Sequence, residues 1–291
     1  MKSLQDKVVV VTGAASGIGR AVAVEVARQG ALVAVSDVDR AGLRETVALV
    51  KDAGAPDVHS APLDVSDRAA FAAYARDVVA HFGRVNVVVN NAGVALAGDF
   101  EDLDYADMEW IVGINLWGVV HGTKEFLPHL IASGDGHVVN ISSLFGLISI
   151  PGQSLYNATK YAVRGMSEAL REEMLVAGHP VGVTVVHPGG IKTAIARNAR
   201  VSDKQDAEAT ADLFDKRLAR MTPEKAARII VRGILKDQAR VLVGIDAHAL
   251  HHFARLTGSR YQDIVAAVAG RTVKTRKAVL TEKDLDESVI P

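Results

Sequence analysis

The sequence predicts an α/β fold: a doubly wound, parallel, seven-stranded sheet with helices on both faces. Three observations carry this. Seven short Val- and Ile-rich segments alternate with six longer Ala- and Leu-rich segments of helical spacing. Several of the short segments are nearly continuous apolar runs, as strands covered on both faces must be. No Pro-, Gly- or Ser-rich linker divides the chain, and no internal repeat is present.

The strands fall at 7–12, 31–37, 58–63, 85–90, 137–142, 181–187 and 239–244. The helices fall at 17–29, 40–53, 67–81, 115–133, 154–178 and 223–236. Alternation of this kind gives a parallel sheet with right-handed crossovers. Pro128 lies inside the fourth helix, where a kink is expected. Residues 1–245 form one expected domain. Its polar, charged segment 191–222 is expected to be a substrate lid ordered by ligand. Within that region, 202–225 reads as a solvated helix surface. Residues 246–291 are expected to be an extension, packed on the same domain or on a partner subunit.

The composition narrows the function. The 291 residues are 49% hydrophobic and 23% charged, with a net charge of −1. That balance makes no electrostatic case for nucleic acid or an anionic membrane. There is no cysteine, so disulfides, thiolate chemistry and Cys-bound zinc are excluded. Residues 1–13 lack the apolar core of a signal peptide, and the run Val8 to Val11 is too short to span a bilayer. A cytoplasmic location is the expectation. His248, His251 and His252 lack convincingly spaced ligand partners, so no metal site is expected. His187, at a strand end, is expected to be packed.

The first strand runs into Thr12-Gly13-Ala14-Ala15-Ser16-Gly17-Ile18-Gly19 and then into a helix. Glycines permit the tight turn and a close approach of backbone to a pyrophosphate. The helix start offers orphan N–H groups and a positive dipole end to that anion. Gly13, Ser16, Gly17, Ile18 and Gly19 are therefore candidate phosphate contacts. Asp37 ends the second strand, 18 residues after Gly19. A carboxylate there accepts the adenosine ribose hydroxyls and repels a 2′-phosphate, which favours NAD over NADP. Asp39 is the better helix cap by position, leaving Asp37 for the ribose. Arg40 is the opposing consideration, because a nearby cation serves a 2′-phosphate.

Further signatures follow in order. They are Asp64-Val65, Asn90-Asn91-Ala92-Gly93, Asn115, Ser143, Tyr156-Asn157-Ala158-Thr159-Lys160, and Pro188-Gly189 with Thr193. With the glycine turn, this set resembles the short-chain dehydrogenase/reductase family over roughly residues 4–245. The resemblance implies a Rossmann-type fold and hydride transfer between a nicotinamide and an alcohol or carbonyl. It implies that Asp64 and Val65 hold the adenine, and that Asn91, Ala92 and Gly93 line the adenosine side. Pro188, Gly189, Ile191 and Thr193 would contact the nicotinamide end. Asn115, Ser143, Tyr156 and Lys160 would be catalytic, with Asn115 holding a water that relays protons from Lys160. Tyr156 and Lys160 would also touch the cofactor.

Physical chemistry supports the Tyr–Lys pair. Free tyrosine titrates near ~10, too high for a base at neutral pH. Lys160 lies four residues on, hence on the same helix face. At about 4 Å and an effective dielectric of about 20, its charge contributes roughly 4 kcal/mol, or about 3 pKa units. A phenol near neutrality is the expectation. Two other readings share the scaffold: an NAD-dependent epimerase or dehydratase, and a non-catalytic NAD-binding regulator.

The substrate pocket is expected from 95–100, 144–150 and 190–214. Leu96, Leu144, Phe145, Leu147, Ile150 and Ile195 make it apolar, which points to a lipophilic secondary alcohol or ketone. A homodimer, or a tetramer, is expected through the helices carrying Asn115 and Tyr156. Their outer faces are read as Trp117, Val120, Phe126, Leu127, Val163, Met166, Leu170 and Met174.

Overall fold

A computed structural model describes residues 1–202 and 220–272. Seven strands form one parallel sheet: β1 (Val8–Thr12), β2 (Leu32–Asp37), β3 (Val58–Pro62), β4 (Val87–Asn90), β6 (Gly136–Ile141), β7 (Val181–Pro188) and β9 (Arg240–Val243). Their spatial order is β3-β2-β1-β4-β6-β7-β9. The order reverses between β1 and β4, so the strand ends diverge there and leave a crevice. Both faces are covered, as the unbroken Val runs require. Alternate residues of β1 go to opposite cores: Val9 and Val11 to one, Val8 and Val10 to the other.

The first core packs under α1 (Gly17–Arg28), α2 (Arg40–Asp52) and α7 (Pro223–Leu235). The second packs under α3 (Arg68–Phe82), α5 (Gly118–Ala132) and α6 (Ser154–Ala177). Side chains cap several helix starts. Asp39 accepts the Ala41 and Gly42 N–H groups at the start of α2, and Asp67 accepts those of Ala69 and Ala70 at α3. Each satisfies orphan donors that would otherwise lose water. α5 continues through Pro128 to Ala132.

Three features were not anticipated. A helix, α4 (Tyr105–Val112), precedes α5 and joins it through a π-helical turn, Gly113–Trp117. Two short strands, β5 (Leu96–Ala97) and β8 (Arg200–Val201), pair in parallel beside the main sheet. Two further helices, α8 (Ile245–Thr257) and α9 (Tyr261–Thr272), follow β9. Ala247, Leu250, Phe253, Tyr261 and Val265 from this region pack against Leu144, Phe145 and Ile148.

The expected subunit face needs correction. Phe126, Val163, Leu170 and Met174 are buried within the chain itself. Three of them, Phe126, Leu170 and Met174, belong to the core under the sheet. These helices bury one apolar stripe, and periodicity alone does not say which stripe faces the sheet. Trp117 remains 53% exposed, and Val120, Leu127 and Met166 are half-buried. Of the expected lid, 203–219 lies outside the described residues, as does most of the charged run 202–225.

His137 and His187 are buried on neighbouring strands. His137 shares a hydrogen bond with the Thr184 hydroxyl at 2.8 Å, and His187 with the Ser143 carbonyl at 2.8 Å. Burial pushes both down to about 4. The unfolded chain, titrating near 6.5, then binds more protons between pH 6.5 and 4, so folding stability falls as pH drops through that window. The expected loss by pH 4 is roughly 3 kcal/mol per histidine. Urea unfolding at stepped pH checks this; a flat stability profile between pH 6.5 and 4 would contradict it.

Candidate active site

The glycine turn joins β1 to α1 at the crevice. Gly13 has φ +64 and Gly17 φ +56, in the left-handed region where only glycine is unstrained. Space is the second constraint: a Cβ on Gly13 would lie 2.6 Å from the Ala92 Cα, and one on Gly19 2.2 Å from the Gly13 carbonyl oxygen. Neighbours hold the turn. The Asn91 amide donates to the carbonyls of Thr12 (2.9 Å) and Gly13 (3.0 Å). The Thr12 hydroxyl accepts the Asn91 and Ala92 N–H groups. Arg20 donates to the Ala15 and Gly42 carbonyls and pairs with Glu45. Asn91 thus shapes the turn with its own side chain.

Ser16 occupies the N-cap of α1 but makes no side-chain cap hydrogen bond, unlike Asp39 and Asp67. The first N–H groups of α1 are left for an anion, and the cradle that a Cβ would fill is open to it. These residues fit a pyrophosphate. Asp37 lies alongside, its carboxylate accepting the Ala15 N–H at 2.8 Å and the Asp39 N–H at 3.0 Å. Asp39 caps α2, as its position suggested. Asp64 is exposed and accepts from the Ser66 N–H and hydroxyl. Val65 is buried against α5, where its methyl would lie 2.6 Å from a Cβ on Gly118.

Across the crevice, β7 ends at Pro188, and the Gly189 N–H donates to the Val243 carbonyl. The Thr193 methyl would lie 3.1 Å from a Cβ on Gly17, so the segment after β7 reaches the glycine turn. Ile191 is buried and bridges Met221. Asp246, in the first turn of α8, accepts the Gly190 N–H at 2.7 Å. A Cβ on Gly189 would collide with this carboxylate at 2.2 Å. Asp246 therefore sets the turn after Pro188, a role the sequence left unread because the two segments are 56 residues apart.

Ser143, Tyr156, Lys160 and Asn115 come together beside this crevice. Ser143 follows β6 and opens a 3-10 turn, Leu144–Gly146, accepting the Phe145 N–H. Gly146 lets this turn lie on α6, since a Cβ there would be 2.7 Å from the Lys160 carbonyl oxygen. The Ser142 hydroxyl ties the two together by donating to that carbonyl at 2.8 Å. The Ser143 hydroxyl lies close enough to the Tyr156 phenol to favour its ionised form. Lys160 is 3% exposed, with Nζ donating to the Ile141 carbonyl at 3.1 Å and lying 5.7 Å from the Tyr156 ring centre.

Asn115 sits in the π-helical turn, fully buried, with its amide spent on the Val94 backbone: Oδ1 accepts the N–H at 2.8 Å and Nδ2 donates to the carbonyl at 2.9 Å. π-turns often mark functional positions, because the extra residue re-aims a side chain. Asn115 Oδ1 and Lys160 Nζ both border Gly93, at 3.2 and 3.4 Å from an ideal Cβ there.

Electrostatics departs from the sequence expectation. Burial pushes the Tyr156 phenol up from 10.0, and only the neighbouring Ser143 hydroxyl pulls it back. Burial also brings Lys160 down to about 8. Desolvation opposes the charged form of both partners and here outweighs the attraction expected between phenolate and ammonium.

The apolar lining also differs from expectation. Leu96, Ile111 and Tyr156 form one cluster with Val94, Leu103, Trp110, Phe145 and Leu155. Leu144 turns instead towards α8, and Leu147 and Ile150 line other clefts. Trp110 and Ile111 belong to the unanticipated α4. Arg200 stacks over Trp110 at 4.0 Å and donates to Asp107, so β8 is docked against this wall.

Residues 7–204 match the model of the short chain dehydrogenase family. The chain belongs to that family. It is 58% identical to SadH of Mycobacterium tuberculosis over 267 residues, covering 92% of this chain and 96% of that protein. It is 35% identical to the C alpha-dehydrogenase of a Sphingobium species over 253 residues, covering 84% and 82%. Among solved structures, a short-chain dehydrogenase/reductase from Burkholderia phymatum in complex with NAD superposes with a TM-score of 0.83 at 30% identity, covering 90% and 97%. As a short-chain dehydrogenase, the chain is an oxidoreductase of CH–OH groups that uses a nicotinamide cofactor. No helix among the described residues is long and apolar enough to cross a membrane.

Proposed function

We propose that the protein is an NAD-preferring dehydrogenase acting on a lipophilic secondary alcohol or its ketone, with Tyr156 as general acid/base. The observation that carries this reading is the Ser143–Tyr156 hydroxyl pair, set against an apolar wall with a buried lysine behind it. Two hydroxyls present a donor and an acceptor to one substrate oxygen. Leu96, Trp110, Phe145 and Leu155 suit an apolar substrate body.

In the oxidative direction, Tyr156 takes the substrate hydroxyl proton at its phenol oxygen. Ser143 donates a hydrogen bond to the oxygen as charge develops there. When bound, the nicotinamide supplies the hydride acceptor or donor. A cation beside the phenol offsets the burial penalty, and both the Lys160 ammonium and an oxidised nicotinamide are cations. Lys160, at about 8, exchanges its proton readily near neutrality. Asn115 and Lys160 both border Gly93, and a water held between this segment and Lys160 would carry the proton outward. This complete set of groups favours turnover over a non-catalytic regulator. The exposed Trp117 with Val120 and Met166 supports a homodimer through α5 and α6; a single 30.8 kDa particle in light scattering would remove that reading.

NAD preference rests on Asp37, whose carboxylate repels a 2′-phosphate beside the turn it helps to hold. NADH is expected to bind at least about tenfold tighter than NADPH, a difference of roughly 1.4 kcal/mol. Calorimetric titration of both checks this; equal affinities would assign control to a cation such as Arg40.

Tyr156→Phe removes one hydroxyl and almost no volume. Turnover should fall by about 10²–10⁴-fold, with the melting temperature and NADH affinity nearly unchanged. An alcohol panel monitored by NADH absorbance identifies the substrate for this comparison, and near-normal activity of the variant would refute the assignment.

A further inference from the structure

A second cleft lies along the outer edge of the sheet. It is framed by α6, β9, α8 and α9, has a volume of about 540 Å3, and is lined by Leu147, Arg164, Arg240, His251, Arg255 and Tyr261, with Ser259 at its rim. Arg164 stands eight residues beyond Tyr156 on α6, about 12 Å along the helix axis. Arg240 opens β9, at the end of that strand opposite Val243 and the Pro188 turn. Apart from the turn that Ser143 opens, which supplies Leu147 to the floor, the cleft and the dehydrogenase site share no element end.

The charge in this cleft is unbalanced. Three guanidinium groups converge, and Glu168 is the carboxylate paired with two of them: Arg164 at 3.0 Å and Arg240. Arg255 is exposed and has no ion pair among the described residues. Two positive charges are left over. The Arg240 Nε is buried without a hydrogen-bond partner, although a buried guanidinium nitrogen almost always has one. His251 adds a further cationic neighbour when protonated. Burial lowers its pKa most, and Arg240, His252, Arg255 and Arg164 push it the same way. From α9 Tyr261 closes one side of the cleft, its hydroxyl accepting the Ser149 N–H at 3.2 Å.

We propose that this cleft binds a small polyanion, bearing a phosphate or at least two carboxylates, at a site separate from the dehydrogenase centre. Forked guanidinium groups match both anions by paired, charge-assisted hydrogen bonds. The unsatisfied Arg240 Nε gains an acceptor, the surplus charge is neutralised, and the Ser259 hydroxyl supplies a further donor. Leu147 and Ala254 offer an apolar floor for a short carbon skeleton. The volume lies in the range of small-molecule sites, roughly 300–1,000 Å3.

The test uses the full chain with its cofactor site saturated by NADH, so that phosphate cannot register there. Citrate and inorganic phosphate are titrated separately by calorimetry, against sodium chloride at matched ionic strength. Saturable binding of at least one is expected, and which one binds decides between carboxylate and phosphate chemistry. Arg255→Glu changes an exposed side chain and should leave fold and NADH affinity intact. It should weaken the anion by roughly tenfold or more. Arg240→Gln provides the second variant and should also weaken it. Absence of saturable binding beyond the chloride control, or undiminished affinity in both variants, would overturn the proposal.

Discussion

The Asn91 amide, donating to the carbonyls of Thr12 and Gly13, joins β1 to the segment after β4 at the point where the sheet's strand order reverses. Much of the crevice depends on this junction. Two parallel strands diverging at their C-terminal ends leave backbone groups unpaired, and each unpaired group in a buried crevice is costly. Asn91 and Thr12 satisfy those groups from the side, so the turn is fixed without using the N–H groups at the start of α1. The consequence is a helix terminus still free to bind an anion, flanked by Asp37 at one strand end and by Thr193 in the segment after β7.

A second balance governs the chemistry. Tyr156 and Lys160 are both almost fully withdrawn from water. Withdrawal makes the phenol a weaker acid and the ammonium a stronger one, which drives their proton affinities apart: Tyr156 rises above 10.0 while Lys160 falls to about 8. Proton loss from the phenol towards the amine is therefore uphill in the free protein, and charge arriving with the cofactor must favour the phenolate. The surroundings hold this geometry firmly. Ser142 and Gly146 seat the Ser143 turn on α6, while the turn itself is covered by α8 and α9. Asp246, from the same C-terminal region, shapes the opposite wall through Gly190. The extension beyond β9 thereby touches both sides of the site.

The sheet was legible in the sequence because strands covered on both faces leave continuous Val runs that little else produces. Asp39 and Asp37 were told apart by position alone, since a cap must stand directly before the first helical residue. What escaped detection depends on tertiary placement. Residues 105–112 carry a charge or hydroxyl at intervals that blur a helical stripe, so α4 and its Trp110 went unseen. Phe126, Leu170 and Met174 were assigned to an outer face because spacing reveals an apolar stripe without revealing its partner. The raised Tyr156 could not be foreseen from a four-residue spacing: that spacing places the cation but is silent on burial. Asn90 reads as part of a strand-ending signature, yet its amide belongs to the interior, donating to Asn140 at 2.8 Å and to Thr123.

The central claim is that a bound oxidised cofactor converts a buried, reluctant phenol into the base. Ultraviolet titration of phenolate absorbance, taken as the difference between the wild-type protein and Tyr156→Phe, isolates this one group. The account predicts a Tyr156 pKa above 10.0 in the free protein and a clear fall on saturation with NAD+. A pKa that is the same with and without NAD+, or that rises on binding, would contradict it.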